Sequence, residues 1–288
     1  MKPTLAAPLT YEFCALSDCG RVRGNNEDAV LVMENARIAV LADGMGGYNA
    51  GEVASGMAVQ SIAADMADWL GRAPEPGDSV GRALERSVAN ANYAILSASL
   101  SHPEYSGMGT TLVAGVFQNE RLVLGHVGDS RCYRWRGGVL HQLTRDHSWL
   151  QEQIDAGLLT QEQAAVSGYR NLVTRALGVD AAVQIEVNEF PVQAGDLFLL
   201  CSDGLTDMAD DRALAGLMSM PLALPDMATR LVELANLMGG RDNISVVLVA
   251  VQGPSPAGGG GVQSGRLRSL MSRLLSPSPP GGSDGAPA

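Results

Sequence analysis

Apolar positions along this chain come in short runs whose period changes several times. Residues near 11–42 alternate strand-like runs with a polar loop at 21–28, and the apolar run 36–42 predicts a buried strand. After a glycine-rich turn, 51–70 reads as a helix, with Val53, Met57, Met66 and Leu70 at near-helical spacing and alanine filling the gaps. A second helix is predicted over 80–100, carrying Val80, Leu84, Val88, Ala91 and Ile95 on one stripe. Strands return at 110–117, 121–127 and 130–136, and Gly137-Gly138 marks a tight hairpin into 139–143. Residues 146–169 are polar, with short helical pieces. Strands at 183–190 and 197–201, a helix over 225–238 and a closing strand at 244–251 complete the pattern.

This order lacks the regular β-α alternation of a doubly wound sheet. It predicts an α+β fold in which helices are segregated from antiparallel sheets, in one domain over about 8–252. The tail, 253–288, differs in composition. Gly258 to Gly261 reads as a flexible linker and 276–288 is rich in Pro, Gly and Ser. Between them, 266–275 has apolar residues at helical spacing interleaved with three arginines. That pattern suits a short basic amphipathic helix that forms on docking to a partner or to an anionic membrane surface.

Length and composition allow a sizeable core: 288 residues, 46% of them hydrophobic. The net charge of −11 argues against a broad nucleic-acid surface. The four cysteines, Cys14, Cys19, Cys132 and Cys201, form no C-x-x-C pair and no zinc-like spacing. Cys132 and Cys201 sit in apolar runs, so buried free thiols and a reducing compartment are expected. Residues 1–13 lack a charged region followed by an apolar one, and no apolar stretch reaches the length of a bilayer span. The expectation is a cytoplasmic protein without a transmembrane segment.

The candidate chemistry lies in four aspartates. Asp43 and Asp203 each end an apolar strand and precede a glycine, Asp129 sits in Gly128-Asp129-Ser130-Arg131, and Asp242 lies just before the last strand. A carboxylate at the end of a core strand is costly unless something neutralises it. Brought together, such groups make a site for hard divalent cations, and Gly44 adds a close-lying carbonyl oxygen. Glu27 and Asp28 supply a further pair upstream. Oxygen donors without a His/Cys cluster favour Mg²⁺ or Mn²⁺ over Zn²⁺. Taken singly, an Asp-Gly is most often a turn, Gly239-Gly240 a helix cap, and Arg23 a surface charge.

Their joint order carries more. Arg23-Gly24-Asn25-Asn26-Glu27-Asp28, Ala42-Asp43-Gly44-Met45-Gly46-Gly47, Gly109-Thr110-Thr111, Val127-Gly128-Asp129-Ser130-Arg131, Leu143-Thr144-Arg145-Asp146-His147, Cys201-Ser202-Asp203-Gly204 and Arg241-Asp242-Asn243-Ile244-Ser245 follow one another along the chain. This series resembles the metal-dependent serine/threonine protein phosphatases of type 2C in their compact bacterial form.

The resemblance implies a four-layer αββα sandwich of two antiparallel sheets flanked by helices, with metals in a cleft at one end. It implies that Asp43 bridges two principal ions, that the Gly44 carbonyl completes the second site, and that Asp203 and Asp242 hold the first. Glu27 and Asp28 would act near the second ion. Asp129 would share a looser third ion with Asp203, with Asn171 a further contact. Arg23 matches the arginine that grips the substrate phosphate, a task suited to a planar cationic fork. Hydrolysis of phosphoserine and phosphothreonine would proceed by direct attack of a metal-bridging water, opposing a bacterial serine/threonine kinase. Residues 146–169 correspond to a mobile flap. The family's eukaryotic members carry a histidine where this chain has Met45, so the proton for the leaving group must come from water or another residue. None of the four histidines is nominated, and His126 reads as a buried structural residue. The alternative from a different class is a phosphoprotein-binding module without turnover. The complete set of Arg23, Asp43, Asp203 and Asp242 argues against it.

Overall fold

The computed structural model describes residues 8–47, 50–73, 77–118, 120–165, 167–169 and 172–253. These fall within one compact unit, Met1–Pro254, and the unit Ser255–Ala288 lies outside the described residues. The tail segment 266–275 and Asn171 are therefore not described.

Eleven strands are described: β1 (Thr10–Asp18), β2 (Asp28–Met33), β3 (Ile38–Met45), β4 (Gly109–Thr110), β5 (Leu112–Gln118), β6 (Arg121–Val127), β7 (Arg131–Arg136), β8 (Val139–Gln142), β9 (Glu186–Pro191), β10 (Leu197–Cys201) and β11 (Ile244–Gln252). The helices are α1 (Ala50–Gly71), α2 (Val80–Ser101), α3 (Trp149–Asp155), α4 (Gln161–Ala165), α5 (Asp203–Thr206), α6 (Asp211–Met218) and α7 (Leu224–Leu237). One sheet has the order β1-β11-β10-β7-β8. The other runs β2-β3-β5-β6-β9, with β4 paired to β3. All the pairings are antiparallel.

The layers follow from the two-residue period of the strands. On β3, Ile38, Val40 and Ala42 face α1 and α2, where they join Ala54, Ala58, Ile62, Leu84, Val88 and Ile95. The alternate residues Ala39 and Leu41 point between the sheets, against Phe117, Phe198, Leu200, Val247 and Val249. Phe117 anchors this middle layer, its ring 5.4 Å from Phe198 and 6.0 Å from Phe13 in edge-on contacts. The outer face of the first sheet, with Tyr133, Leu199, Val246 and Leu248, is covered by α6 and α7. This is the expected αββα sandwich. Strands buried on both faces read as continuous apolar runs, which is why β3, β10 and β11 stood out in the sequence.

Some expected elements shift. The third strand begins at Ile38, not at 36, because Glu34–Ala36 forms a short 3-10 turn closed by Arg37 at φ 56°. The buried face of α1 is made of Ala50, Ala54, Ala58, Ile62 and Met66, whereas Val53, Met57 and Leu70 lie at its margin. Small residues let this helix sit close on β3. Strand β9 begins at Glu186, because Val183 and Ile185 pack under the helices instead. Helix α6, capped by Asp210 on Ala213 N at 2.8 Å, was not anticipated. No described helix is long and apolar enough to cross a membrane. All four cysteines are free, Cys132 and Cys201 buried as expected.

Candidate active site

The functional candidates converge at one end of the sandwich. In the β2–β3 ladder Asp28 is directly opposite Asp43. Asp129 follows β6, Asp203 follows β10 and opens α5, and Asp242 precedes β11, the strand beside β10. Antiparallel neighbours bring the end of one strand beside the start of the next, so residues far apart in sequence share one cleft.

The backbone around these aspartates is fixed by neighbouring side chains and loops. The Asp43 amide donates to Thr111 Oγ1 (3.0 Å), and its carbonyl accepts from Thr111 N (2.8 Å) and Thr110 Oγ1 (2.9 Å). Gly44 N donates to Glu27 O at 3.1 Å. A Cβ on Gly44 would lie 2.1 Å from Gly51 O and 2.6 Å from Glu27 O, so only glycine lets β3, the Glu27 loop and the start of α1 meet here. Asn243 ties the remaining loops together. Its Oδ1 accepts from Glu27 N (2.8 Å), and its Nδ2 donates to Asn25 O (2.8 Å) and Cys19 O (3.1 Å). Ser202 Oγ donates to Asp28 Oδ2 at 2.8 Å and accepts from Ser245 N at 3.0 Å.

The electrostatics are those of a concentrated acidic cluster. Burial first, then the charges of Asp28, Asp203, Asp129 and Asp242, push the Asp43 carboxyl well above the usual carboxylate range. Burial also raises Asp203, reinforced by Asp129, Asp207 and Asp242. Asp28 is pushed up to about 6 by burial, against hydrogen bonds from Ser245 and Ser202. Asp129, 7% exposed, is pushed up to about 7 by burial and then by Asp146. Asp28 Oδ1 and Asp203 Oδ1 are buried without a hydrogen-bond partner. Arg23, half exposed, donates from Nη2 to Asp242 Oδ2 at 2.6 Å, and Glu27 and Asp203 also bear on its charge.

A cavity of about 780 Å³ opens beside Asp129 and Asp203. Leu150 and Ile154 of α3 line one part of it, and Asp207, Asp210 and Asp211 another. Helix α3, capped by Ser148 on Gln151 N at 3.3 Å, lies in the segment read as a flap. Arg131 is clamped by Asp146 through three hydrogen bonds of 2.6–3.0 Å.

Arg23, Glu27, Asp28, Asp43, Gly44, Asp129, Asp203 and Asp242 are thus gathered as the sequence suggested. Thr111, Ser202, Asn243 and Ser245 received no role from sequence reasoning. The available signal was their position within the short motifs around the aspartates. Oxygen-only donors, unpartnered buried oxygens and carboxyls raised by burial and then by one another's charge together fit hard divalent cations. An acidic cleft with an arginine at its rim fits a phosphate held between cations and a guanidinium.

Fold and cleft define the class: an αββα sandwich with a buried carboxylate cluster at one end of its sheets. A family profile described as protein phosphatase 2C matches residues 20–236. The serine/threonine protein phosphatase PstP of Mycobacterium tuberculosis is 41% identical over 244 residues, covering 84% of this chain and 45% of PstP. The chain thus spans about half the length of that relative. The serine/threonine phosphatase Stp of Listeria monocytogenes is 38% identical over 236 residues, covering 81% of this chain and 93% of Stp. A solved structure of the PstP catalytic domain in complex with two manganese ions superposes with a TM-score of 0.76 at 40% identity, covering 85% of this chain and all of that one. The chain belongs to the protein phosphatase 2C family.

Proposed function

We propose that this chain is a metal-dependent protein phosphatase that hydrolyses phosphoserine and phosphothreonine on proteins. The observation that carries the reading is the convergence of Asp28, Asp43, Asp129, Asp203 and Asp242, with two buried carboxylate oxygens lacking any partner. The names of the relatives, and the two manganese ions of the PstP structure, support it. In this reading Asp43, Asp203 and Asp242 would hold one Mn²⁺ or Mg²⁺ ion, Asp43 with the Gly44 carbonyl, Glu27 and Asp28 would hold a second, and Asp129 with Asp203 would hold a third. When bound, such ions acidify water and neutralise charge on the phosphoryl group.

The chain's own groups supply placement. Thr110 and Thr111 fix the Asp43 amide and carbonyl, so the backbone that carries the carboxylate is set before substrate arrives. Arg23 presents a half-exposed planar fork to the phosphate from the cleft rim. The adjoining cavity, of about 780 Å³, has room for the residues that flank a phosphorylated side chain. A covalent phosphocysteine has little support. Burial pushes Cys201 up to about 12 and raises Cys132 as well, while Cys19 Sγ donates to Asn25 O at 3.0 Å. Met45 has no proton to give the leaving alkoxide.

The same reading sets the enzyme against a bacterial serine/threonine kinase in the cytoplasm. It makes 8–252 the catalytic domain and gives 266–275 a docking role toward a partner or an anionic membrane. The test is manganese-dependent phosphate release from a phosphothreonine peptide. Asp43→Asn should lower turnover by roughly a hundredfold or more, since loss of even an outer-shell partner costs about 10–100-fold. Its circular dichroism should match the parent. Full turnover in a folded Asp43→Asn protein would sink the assignment.

A further inference from the structure

His147 occupies the root of the flap and touches the Asp129 turn twice. Its backbone N donates to Gly128 O at 2.8 Å, and Gly128 N donates to its Nδ1 at 3.1 Å. Both polar groups of Gly128 are thus taken by one buried residue, 5% exposed. Gly128 has φ +103°, and a Cβ there would stand 2.7 Å from Thr111 Cβ. The residue before Asp129 is therefore pressed onto the threonine that holds the Asp43 backbone, in a conformation that few side chains adopt.

The ring's tautomer follows from these contacts. A nitrogen that accepts from an amide carries no hydrogen, so the neutral imidazole has its hydrogen on Nε2. That atom faces Glu186 Oε1 at 3.3 Å, and the carboxylate keeps the hydrogen there. His126 stacks on the ring, with centroids 4.6 Å apart. His126, His147 and Glu186 also bring one potential ligand atom each within 4.8 Å of the others, which resembles a transition-metal donor set. The contacts of His147 disfavour that use. Its Nδ1 is engaged, its Nε2 bears the hydrogen, and Arg175 Nη1 stands 3.4 Å from Nε2.

On the other side His147 joins the flap. Its carbonyl accepts from Thr174 N at 2.8 Å, the next residue caps α3, and Trp149 N donates to Leu172 O at 2.8 Å. We propose that His147 is a positioning residue for Asp129, which it holds through Gly128 while anchoring the flap, so that flap placement and the direction of the Asp129 carboxylate are set together. The proposal rests on the reading of Asp129 as a cation ligand. Glu186 serves it by fixing the tautomer, and Thr111 passes the same constraint to Asp43.

Two polar substitutions in the full chain separate positioning from packing. In His147→Asn the side-chain oxygen stands where Nδ1 stood, one bond from Cγ, and still accepts from Gly128 N. In His147→Gln the polar end moves out to the place of Nε2. Hydrogen exchange of the Gly128 amide is read by NMR in chelator, and Mn²⁺ binding by calorimetry. His147→Gln should speed Gly128 exchange at least about tenfold and weaken the loosest Mn²⁺ step by roughly 10–100-fold. His147→Asn should stay within about twofold of the parent in both, as expected when the hydrogen bond is kept. A pure packing role predicts the reverse order, because glutamine fills more of the space. Asn no better than Gln, or an unchanged Gly128 amide in His147→Gln, overturns the proposal. If either variant fails to fold, Glu186→Leu reads the same amide with the ring in place; it should raise Gly128 exchange, and unchanged exchange overturns the proposal. Asp129→Asn should lose the loosest Mn²⁺ step while keeping Gly128 protected. An isotherm identical to the parent's would overturn the ligand reading of Asp129, and the coupling with it, independently of the exchange result.

Discussion

Stripped of divalent cations, this protein should lose stability as the pH rises from about 5 to about 8, opposite to the usual effect of ionising a paired carboxylate. Asp28 is pushed up to about 6 by burial, and Asp129 to about 7 by burial and then by the charge of Asp146. In the unfolded chain both return to about 3.9. The folded state therefore keeps protons that the unfolded state gives up. Their stabilising contribution is complete below the unfolded value and is lost as the pH passes through the folded one. Part of that loss falls below about pH 5; between about pH 5 and about pH 8 it is worth about 1.4 kcal/mol for Asp28, over about one pH unit, and about 2.7 kcal/mol for Asp129, over about two. At roughly 2–4 °C per kcal/mol for a chain of this size, Asp28 alone lowers the melting temperature by about 3–6 °C across this range. Divalent cations need the ionised ligands, so Mn²⁺ should raise the melting temperature far more at about pH 8 than at about pH 5. Scanning fluorimetry across this range, in chelator and in excess Mn²⁺, measures both effects. Asp28→Asn resembles the protonated acid and should flatten the chelator curve by its share. A chelator curve that rises between about pH 5 and pH 8, or one for Asp28→Asn parallel to the parent's, would contradict the protonated state assigned to these acids.

Gly44→Ala places a methyl 2.1 Å from Gly51 O, so β3 and α1 must part by about 1 Å. Stability should fall by about 1–3 kcal/mol in thermal denaturation. Turnover should fall by about a hundredfold through displacement of Asp43. Arg23→Lys keeps the charge but loses the fork that faces the cleft. In steady-state kinetics on a phosphothreonine peptide, KM should rise about tenfold with a smaller change in kcat, the pattern of lost substrate binding.

Strands β6 and β10 match their sequence expectations residue for residue, because nearly every residue in them is buried and each apolar run ends at a polar or glycine turn. The two-residue β4 is separated from β5 by Thr111, a break no apolar pattern records. Thr111 leaves the β3 ladder to bind the backbone of Asp43 and the hydroxyl of Ser130. The stripe on α1 was misplaced for a related reason. Methionine and valine look like a buried face, yet the close approach of β3 selects alanine. The aspartates were legible because an acid at the end of an apolar strand is conspicuous. Ser202, Asn243 and His147 were not. They act by hydrogen bonds to backbone groups 19–224 residues away, as with His147 on Gly128 N and Asn243 on Cys19 O, and that geometry leaves no periodic trace.

How the site is held also bears on what it is for. If the carboxylates were positioned by paired side chains, their oxygens would be spent on those pairs. Here most of the positioning is done by backbone. Gly44 lies against Gly51 O, and a Cβ on Gly204, next to Asp203, would stand 1.9 Å from Asn243 O, so the loops bearing Asp43 and Asp203 are locked at closest approach without using a carboxylate oxygen. Thr111 holds the Asp43 amide and carbonyl, and the carboxyl stays out of that exchange. Asp28 gives one oxygen to Ser202 and keeps the other unpartnered, as Asp203 does with Oδ1. Stability alone would favour replacing these acids with apolar residues or supplying each with a cationic partner. The arrangement instead tolerates burial, reinforced by mutual repulsion, that drives several carboxyls above their ordinary range, and its polar neighbours fix direction while leaving oxygens available. That combination makes sense for acids whose partners arrive from solution as divalent cations.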